Sequence, residues 1–173
     1  MKKWLSALVL ALLMLLACSQ ALAAEAIDIT AECKFKASYN QRNQKLMKDK
    51  KFTTYWESGK AKAPWLAVTA PAGMPIHGLY ICFGNMPETW EIQVGDGNDW
   101  LTYQQGDSRF LHSYVNIPEG AEKVRIVATS DKKITLNINE IYILSEGEVP
   151  SWVQRWEPTV EKADILFLST HPD

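Results

Sequence analysis

The sequence has few cysteines, few histidines and no excess of basic charge. Of the three cysteines, Cys18 lies in an apolar N-terminal leader, so a mature chain would keep only Cys33 and Cys82. Two cysteines are too few for a disulfide framework. They are open to two interpretations, a single bridge or two small buried side chains. The net charge of −2 gives no attraction to nucleic acid, so we expect no partner of that class.

Long apolar runs are also missing, apart from the leader. Its run from Trp4 to Ala17 is too short to span a bilayer comfortably, because a spanning helix needs about 20 apolar residues. Two lysines precede the run and Ala21-Leu22-Ala23 follows it, which is the order found in a secretory signal. We therefore assign residues 1–23 to a signal peptide and expect a secreted, extracellular protein with no transmembrane segment in the mature chain. The lipobox-like Leu15–Cys18 leaves anchoring through an acylated Cys18 open beside release.

No long helical period occurs between residues 27 and 147. Short runs rich in Ile, Val, Tyr, Trp and Thr alternate there with clusters of Gly, Pro, Asn and Asp, which is typical of strands and turns. Strands are predicted over residues 29–35, 65–68, 76–83, 90–94, 100–103, 110–117, 123–128 and 134–144, with a long loop at 38–51. This spacing favours an all-β sandwich or jelly roll. We expect Trp56, Trp65 and Trp90 in its core.

The composition changes after Gly147. Residues 148–163 combine two prolines with Trp152 and Trp156 and show no alternation, which indicates a linker. Residues 164–173 begin with a continuous apolar run, typical of a buried parallel strand, and end with His171-Pro172-Asp173. Ligands in open α/β sheets bind beyond the carboxyl ends of strands, so this polar ending is well placed for chemistry.

The strand and its His-Pro-Asp ending resemble the opening of the PIG-L/LmbE-like N-deacetylases, hydrolases with an α/β (Rossmann-like) catalytic domain. The resemblance implies that His171 is a zinc ligand and that Asp173 is the general base that activates the metal-bound water. A catalytic zinc needs three protein ligands and an open position, and the family's remaining ligands would follow Asp173. We therefore expect a truncated deacetylase whose chain continues beyond Asp173 and which is inactive as it stands.

The β domain, residues 27–147, resembles the discoidin or coagulation-factor C-type domains. The resemblance is carried by residues 49–56, by Pro64-Trp65-Leu66 and by residues 139–143. It implies a discoidin-like jelly-roll β-sandwich that binds glycans through loops at one end. The candidate ligand contacts, which lie in the first long loop, are Tyr39, Asn40 and Arg42.

Several discoidin-like carbohydrate modules also hold a structural calcium ion. The resemblance places Asp49, Thr54 and Glu140 at the ligand positions, and oxygen ligands of this kind suit calcium. One residue departs from the pattern, because the glycine that commonly follows the aspartate is Lys50 here.

These features predict a monomeric accessory module of a secreted zinc-dependent N-deacetylase that acts on N-acetylated sugars, with glycans or cell-surface carbohydrate as partners. Two alternatives stay open. The chain could be a stand-alone lectin-like module, which would bind glycans without any catalytic domain. It could instead be a spacer that binds no sugar and docks on its neighbour through Trp152 and Trp156.

Overall fold

Two antiparallel sheets account for most of the residues that the computed structural model describes, which are 25–107 and 111–147. The strands are β1 (Lys34–Ala37), β2 (Trp56–Glu57), β3 (Trp65–Thr69), β4 (Gly78–Asn85), β5 (Thr89–Gly95), β6 (Trp100–Asp107), β7 (His112–Asn116), β8 (Lys123–Thr129) and β9 (Asn137–Leu144). One sheet has the order β1-β3-β8-β5-β6 and the other the order β2-β9-β4-β7. The predicted all-β sandwich is confirmed. The linker and the deacetylase strand, predicted at 148–173, lie outside the described residues.

Alternation along the strands builds the core between the sheets. In β3, Leu66 and Val68 are fully buried, whereas the residues beside them are partly exposed. Ile126 on β8 is equally buried, and the facing sheet contributes Ile81 and Ile141. Because burying a side chain of this size stabilises the fold by about 1.5–3 kcal/mol, this shared core holds the two sheets together.

The long hairpin of β5 and β6 depends on a tight turn and a close contact. In the turn, the Asp96 carboxylate accepts hydrogen bonds from the backbone N–H groups of Asn98 (2.7 Å) and Asp99 (3.1 Å), which holds the pKa of that carboxyl below its usual range. Further along, a Cβ on Gly106 would lie 2.1 Å from two atoms of the Trp90 ring. Glycine is therefore required where β6 crosses this buried indole.

The structure corrects several local predictions. The first strand begins at Lys34 and not at residue 29, because the Asp28 carboxylate accepts hydrogen bonds from the N–H and hydroxyl of Thr30 and turns the chain. The predicted loop at 38–51 contains a 3₁₀ helix, Gln44–Met47, and the two-residue strand β2 was not predicted. Trp56 and Trp90 lie in the core as expected, but Trp65 is only partly buried, on the outer face of its sheet.

Cys33 and Cys82 are both buried and unpaired. Cys33 belongs to the central core, whereas Cys82 packs beside Tyr80 in a separate cluster. Burial raises the pKa of the Cys33 thiol to about 12 and that of the Cys82 thiol to about 11, so both remain protonated at neutral pH. The structure therefore supports the interpretation of these cysteines as two small buried side chains and not as a disulfide bridge.

Candidate functional site

The connection between β1 and β2, residues 38–55, contains most of the predicted site residues. It is positioned by Trp56, whose ring is fully buried and whose indole N–H donates a hydrogen bond to the Asn40 carbonyl (2.9 Å). The side-chain amide of Asn40 in turn donates to the Glu57 carbonyl (2.6 Å). These two bonds hold the beginning of the connection, and with it Tyr39, against β2.

The backbone of this connection is unusually strained. Within residues 25–107 and 111–147, the non-glycine residues with positive φ are Asn40 (50°), Asn43 (62°) and Lys50 (62°), and all three lie in it. A left-handed conformation costs an L-residue roughly 1–2 kcal/mol, although Asn tolerates it better than most. Backbone strain of this kind concentrates at ligand sites, so the connection is the first place to look for a function.

Aromatic side chains are exposed along the same connection. Tyr39, Phe52 and Tyr55 are 55%, 46% and 51% exposed, and Arg42 is exposed as well. The predicted ligand contacts Tyr39 and Arg42 are thus accessible to a ligand. Asn40 is different, because its amide already donates to Glu57 and its role is to position the loop.

Phe52 and Tyr55 were not predicted as surface aromatics. One signal could have found Tyr55, because successive side chains of an extended chain point to opposite sides. Once Trp56 is assigned to the core, Tyr55 must point outward. The Phe52 carbonyl accepts a hydrogen bond from the Asn139 side chain of β9 (2.7 Å). This contact joins residues far apart in the chain, so the local sequence pattern could not predict it.

The predicted calcium ligands come together in the second half of the connection. The Thr54 hydroxyl lies 3.0 Å from both carboxylate oxygens of Asp49, 3.0 Å from the Lys51 carbonyl and 3.4 Å from the Leu46 carbonyl. A hydroxyl carries one proton and therefore satisfies one of these four acceptors at a time. The surplus of converging oxygen atoms is the arrangement that a hard cation would satisfy.

Glu140 reaches the same region from β9. Its residue is 1% exposed, and its Oε2 atom is buried with no hydrogen-bond partner among the described residues. Burial, and then repulsion from the Asp49 carboxylate, raises the pKa of Glu140 to about 7, although hydrogen bonds from the backbone N–H groups of Lys51 and Lys50 act in the opposite direction. A buried carboxylate close to a second carboxylate is the electrostatic environment that a cation would relieve.

The departure at Lys50 has a visible cost in backbone geometry. Lys50 adopts a φ of 62°, in the left-handed region that favours glycine. Glycine is the residue usual at this position in the discoidin-like domains that the sequence resembles. The turn therefore keeps its shape without glycine, and the carboxylate of Asp49 still accepts a hydrogen bond from the Lys51 N–H (3.0 Å).

The candidate metal donors in this region are all oxygen atoms. No cluster of three His, Cys, Asp or Glu side chains that could hold a metal occurs among residues 25–107 and 111–147. The candidate set instead joins two carboxylates to a hydroxyl and backbone carbonyls, which are the hard oxygen donors that calcium prefers. The predicted zinc ligand His171 and the predicted base Asp173 lie outside the described residues.

Two clefts among the described residues could hold a ligand. One of about 280 Å³ lies beside Glu140 and is also lined by Asp28 and Tyr142. A larger one of about 710 Å³ lies at the opposite end of the sandwich from Tyr39, between the β5–β6 turn and the β7–β8 connection, and Tyr103 and Lys123 line it. The larger cleft is a rival location for a ligand, with an exposed tyrosine of its own.

Solved structures share this architecture. CpGH89CBM32-6 of Clostridium perfringens is 19% identical, with a TM-score of 0.57 over 69% of this chain and 100% of that one. The family 32 CBM of C. perfringens NanJ, solved in complex with galactose, is 17% identical (TM-score 0.55, 69% of this chain and 97% of that one). The F5/8 type C domain of a Bacteroides fragilis protein is also 17% identical (TM-score 0.54, 75% and 99%).

At these identities the comparisons show a shared fold, so the protein has the discoidin-like jelly-roll β-sandwich that its sequence predicted. No family model and no curated protein sequence matches the chain. Among the described residues, no helix has the length and apolar character needed to cross a membrane.

Proposed function

We propose that this chain is a carbohydrate-binding module and that the β1–β2 connection is its binding surface. The observation that carries the proposal is the pairing of an exposed Tyr39 ring with a backbone that Trp56 and Asn40 hold in a strained conformation. The fold shared with family 32 modules, one of them solved with galactose, supports the same function.

The chemistry of the connection suits a sugar. The ring of Tyr39 offers an apolar face to the C–H groups of a pyranose, and Arg42 offers planar N–H donors to its hydroxyl groups. Because Trp56 and Glu57 already hold the loop, less conformational entropy is lost when a ligand binds.

We also propose that Asp49, Thr54 and Glu140 hold a calcium ion, with the carbonyls of Leu46 and Lys51 as further donors. The convergence of oxygen atoms on the Thr54 hydroxyl and the unpartnered Glu140 Oε2 support this assignment. The ion would neutralise two neighbouring carboxylates and so hold the connection to β9.

In the wider protein, we propose a secreted module that places a PIG-L-type zinc-dependent deacetylase on N-acetylated sugars. The support is the strand followed by His171-Pro172-Asp173, the residues that resemble the start of that catalytic domain. Sequencing the gene beyond the Asp173 codon tests the idea, since the resemblance requires a second aspartate next and any other residue contradicts it. Mass spectrometry of the mature N-terminus distinguishes cleavage after Ala23 from acylation of Cys18.

A glycan array with the purified protein, followed by titration calorimetry, tests the binding function. Tyr39→Ala should weaken binding of the best glycan at least about tenfold, which corresponds to about 1.4 kcal/mol of lost contact. Tyr103→Ala is the matched control, because Tyr103 is 48% exposed but lies on β6, at the opposite edge of the five-stranded sheet from β1, where it lines the larger cleft. Loss of glycan binding in Tyr103→Ala but not in Tyr39→Ala would indicate that the sugar binds in the larger cleft. No glycan binding by the wild-type protein would favour the spacer.

A further inference from the structure

The outer face of the five-stranded sheet brings together cationic and aromatic side chains from distant parts of the chain. Cross-strand register sets Lys36, Ala67, Arg125, Gln93 and Thr102 in one row across β1, β3, β8, β5 and β6. With neighbouring strands about 4.8 Å apart, such a row is about 19 Å long, enough for several sugar units.

Charge is unevenly distributed over this face. A second row places Lys34, Thr69 and Lys123 side by side, so the face carries four cations from Lys34, Lys36, Lys123 and Arg125. Among the outward-facing side chains that the structure describes on these strands, Glu91 carries a carboxylate, and the sequence has a second acidic residue, Asp107, at the position paired with Thr89 near the end of β6. The four cations outnumber these two acidic residues. A chain with a net charge of −2 therefore presents a locally positive surface.

Arg125 is fixed at the centre of the face. Its guanidinium carbon lies 4.6 Å from the ring centre of Trp100 and 5.7 Å from that of Trp65. Its Nε–H and Nη2–H groups both donate to the side-chain oxygen of Gln93, the former at 2.8 Å. The guanidinium is thus oriented before any ligand arrives.

Neighbouring amide and hydroxyl groups extend this arrangement across β5 and β6. The Glu91 carboxylate accepts hydrogen bonds from Gln93 (2.9 Å), Thr102 (2.8 Å) and Gln105 (3.4 Å). The hydrogen bond from Thr102, and then the one from Gln93, holds the pKa of Glu91 below its usual range.

The Glu91 carboxylate also interacts electrostatically with Arg125, and Lys123 donates a hydrogen bond to the Asp96 carbonyl. Lys34 and Lys36 on β1 are therefore the cations of this face that are most available to an anion.

We propose that this face, centred on Arg125 between Trp65 and Trp100, is a second binding site, specific for an anionic polysaccharide that carries uronate or sulfate groups. Cations in rows match negative groups repeated along a polymer. Because Gln93 occupies the Nε–Nη2 edge of Arg125, a carboxylate or sulfate would pair with the N–H donors of its Nη1–Nη2 edge. The indoles and the Gln and Thr side chains match the apolar faces and hydroxyl groups of sugar rings. This site is separate from the β1–β2 connection and does not depend on it.

Affinity electrophoresis of the purified protein tests the proposal, in gels that contain polygalacturonate, heparin or neutral dextran. The wild-type protein should be retarded by at least one anionic polymer and not by dextran. The double variant K34Q/K36Q should raise the dissociation constant about tenfold, because it removes two exposed positive charges from this face. The double variant K132Q/K133Q removes the same charge from exposed positions outside the five strands and should leave retardation unchanged.

Two further variants identify the anchor and separate this site from the first. Arg125→Lys keeps the charge but removes the planar fork, so it should weaken retardation while the melting temperature shows that the fold persists. Tyr39→Ala should leave retardation by the anionic polymer unchanged. Three results would overturn the proposal. The first is that K34Q/K36Q is retarded as strongly as the wild type, and the second is that K132Q/K133Q weakens retardation as much as K34Q/K36Q does. The third is that the protein binds single-stranded oligothymidylate as tightly as it binds the anionic polysaccharide. Loss of neutral-glycan binding alone affects only the proposed function of the β1–β2 connection.

Discussion

Trp56 connects the core of the sandwich to its candidate binding surface. The ring is fully buried, yet its N–H group is the partner of the Asn40 carbonyl. Burial of this tryptophan could be predicted from its position among strand-forming residues. The bond to Asn40 could not, because it joins residues on separate segments whose approach only the folded chain defines.

Trp56→Phe should lower the free energy of unfolding by about 1–3 kcal/mol, because the Asn40 carbonyl loses its donor while an aromatic ring stays in the core. Urea denaturation measures the change. Tyr55→Phe is the neighbouring control, and because Tyr55 is 51% exposed its effect should stay within about 0.5 kcal/mol. Equal stability of Trp56→Phe and wild type would show that the indole bond does not hold the loop.

Lys50→Gly should raise the free energy of unfolding by about 1 kcal/mol, since glycine adopts the left-handed conformation without steric cost. Lys51→Gly removes a second exposed lysine at the next position, which has no positive φ, and should lower stability through backbone entropy. Thermal unfolding of the two variants side by side gives the comparison. A stability loss in both would contradict the strain inferred at Lys50.

At the scale of strands, prediction succeeded where alternation was regular. The bounds of β3, β5 and β8 were predicted to within a residue or two, because buried and exposed side chains alternate along each. The start of β1 was wrong because the hydrogen bonds of Asp28 to Thr30 form a turn within an alternating pattern. β2 was not predicted because two residues are too few to show the alternation of buried and exposed side chains that identifies a strand.

The pairing of β5 with β6 gives a prediction at this scale. Gly106→Ala would push a methyl group into the Trp90 ring and should destabilise the protein by about 1–3 kcal/mol. Gln104→Ala changes an exposed residue of the same strand and should cost less than about 0.5 kcal/mol. Chemical denaturation of both variants provides the measurement, and a neutral Gly106→Ala would mean that the indole has room to move.

For the whole molecule, the sequence was most informative where a family pattern existed. That pattern selected Asp49, Thr54 and Glu140, and the structure brings them to one region although Glu140 arrives from β9. The outer face around Arg125 was not predicted. Its residues come from five strands, and only the register of the sheet reveals that their charges lie together.

Calcium should stabilise the whole protein if the assigned ligands hold it. At a concentration one hundred times the dissociation constant, a ligand specific to the folded state adds about 2.7 kcal/mol and raises the melting temperature. Magnesium should do much less, because it demands a tighter octahedral geometry. Asp49→Asn should abolish the shift, whereas Glu122→Gln, at an exposed carboxylate elsewhere, should keep it. A calcium shift that survives Asp49→Asn would contradict the assignment.

The central claim is that a sugar binds to the β1–β2 connection, and an amide chemical-shift titration tests it most directly. The probes are galactose, N-acetylglucosamine and the oligosaccharide that the array ranks highest. We predict that the largest changes fall in residues 38–43 and 55–59, with the indole N–H of Trp56 among them because it is bonded to Asn40. Changes centred instead on residues 94–103 and 118–123, around the larger cleft, would contradict the claim.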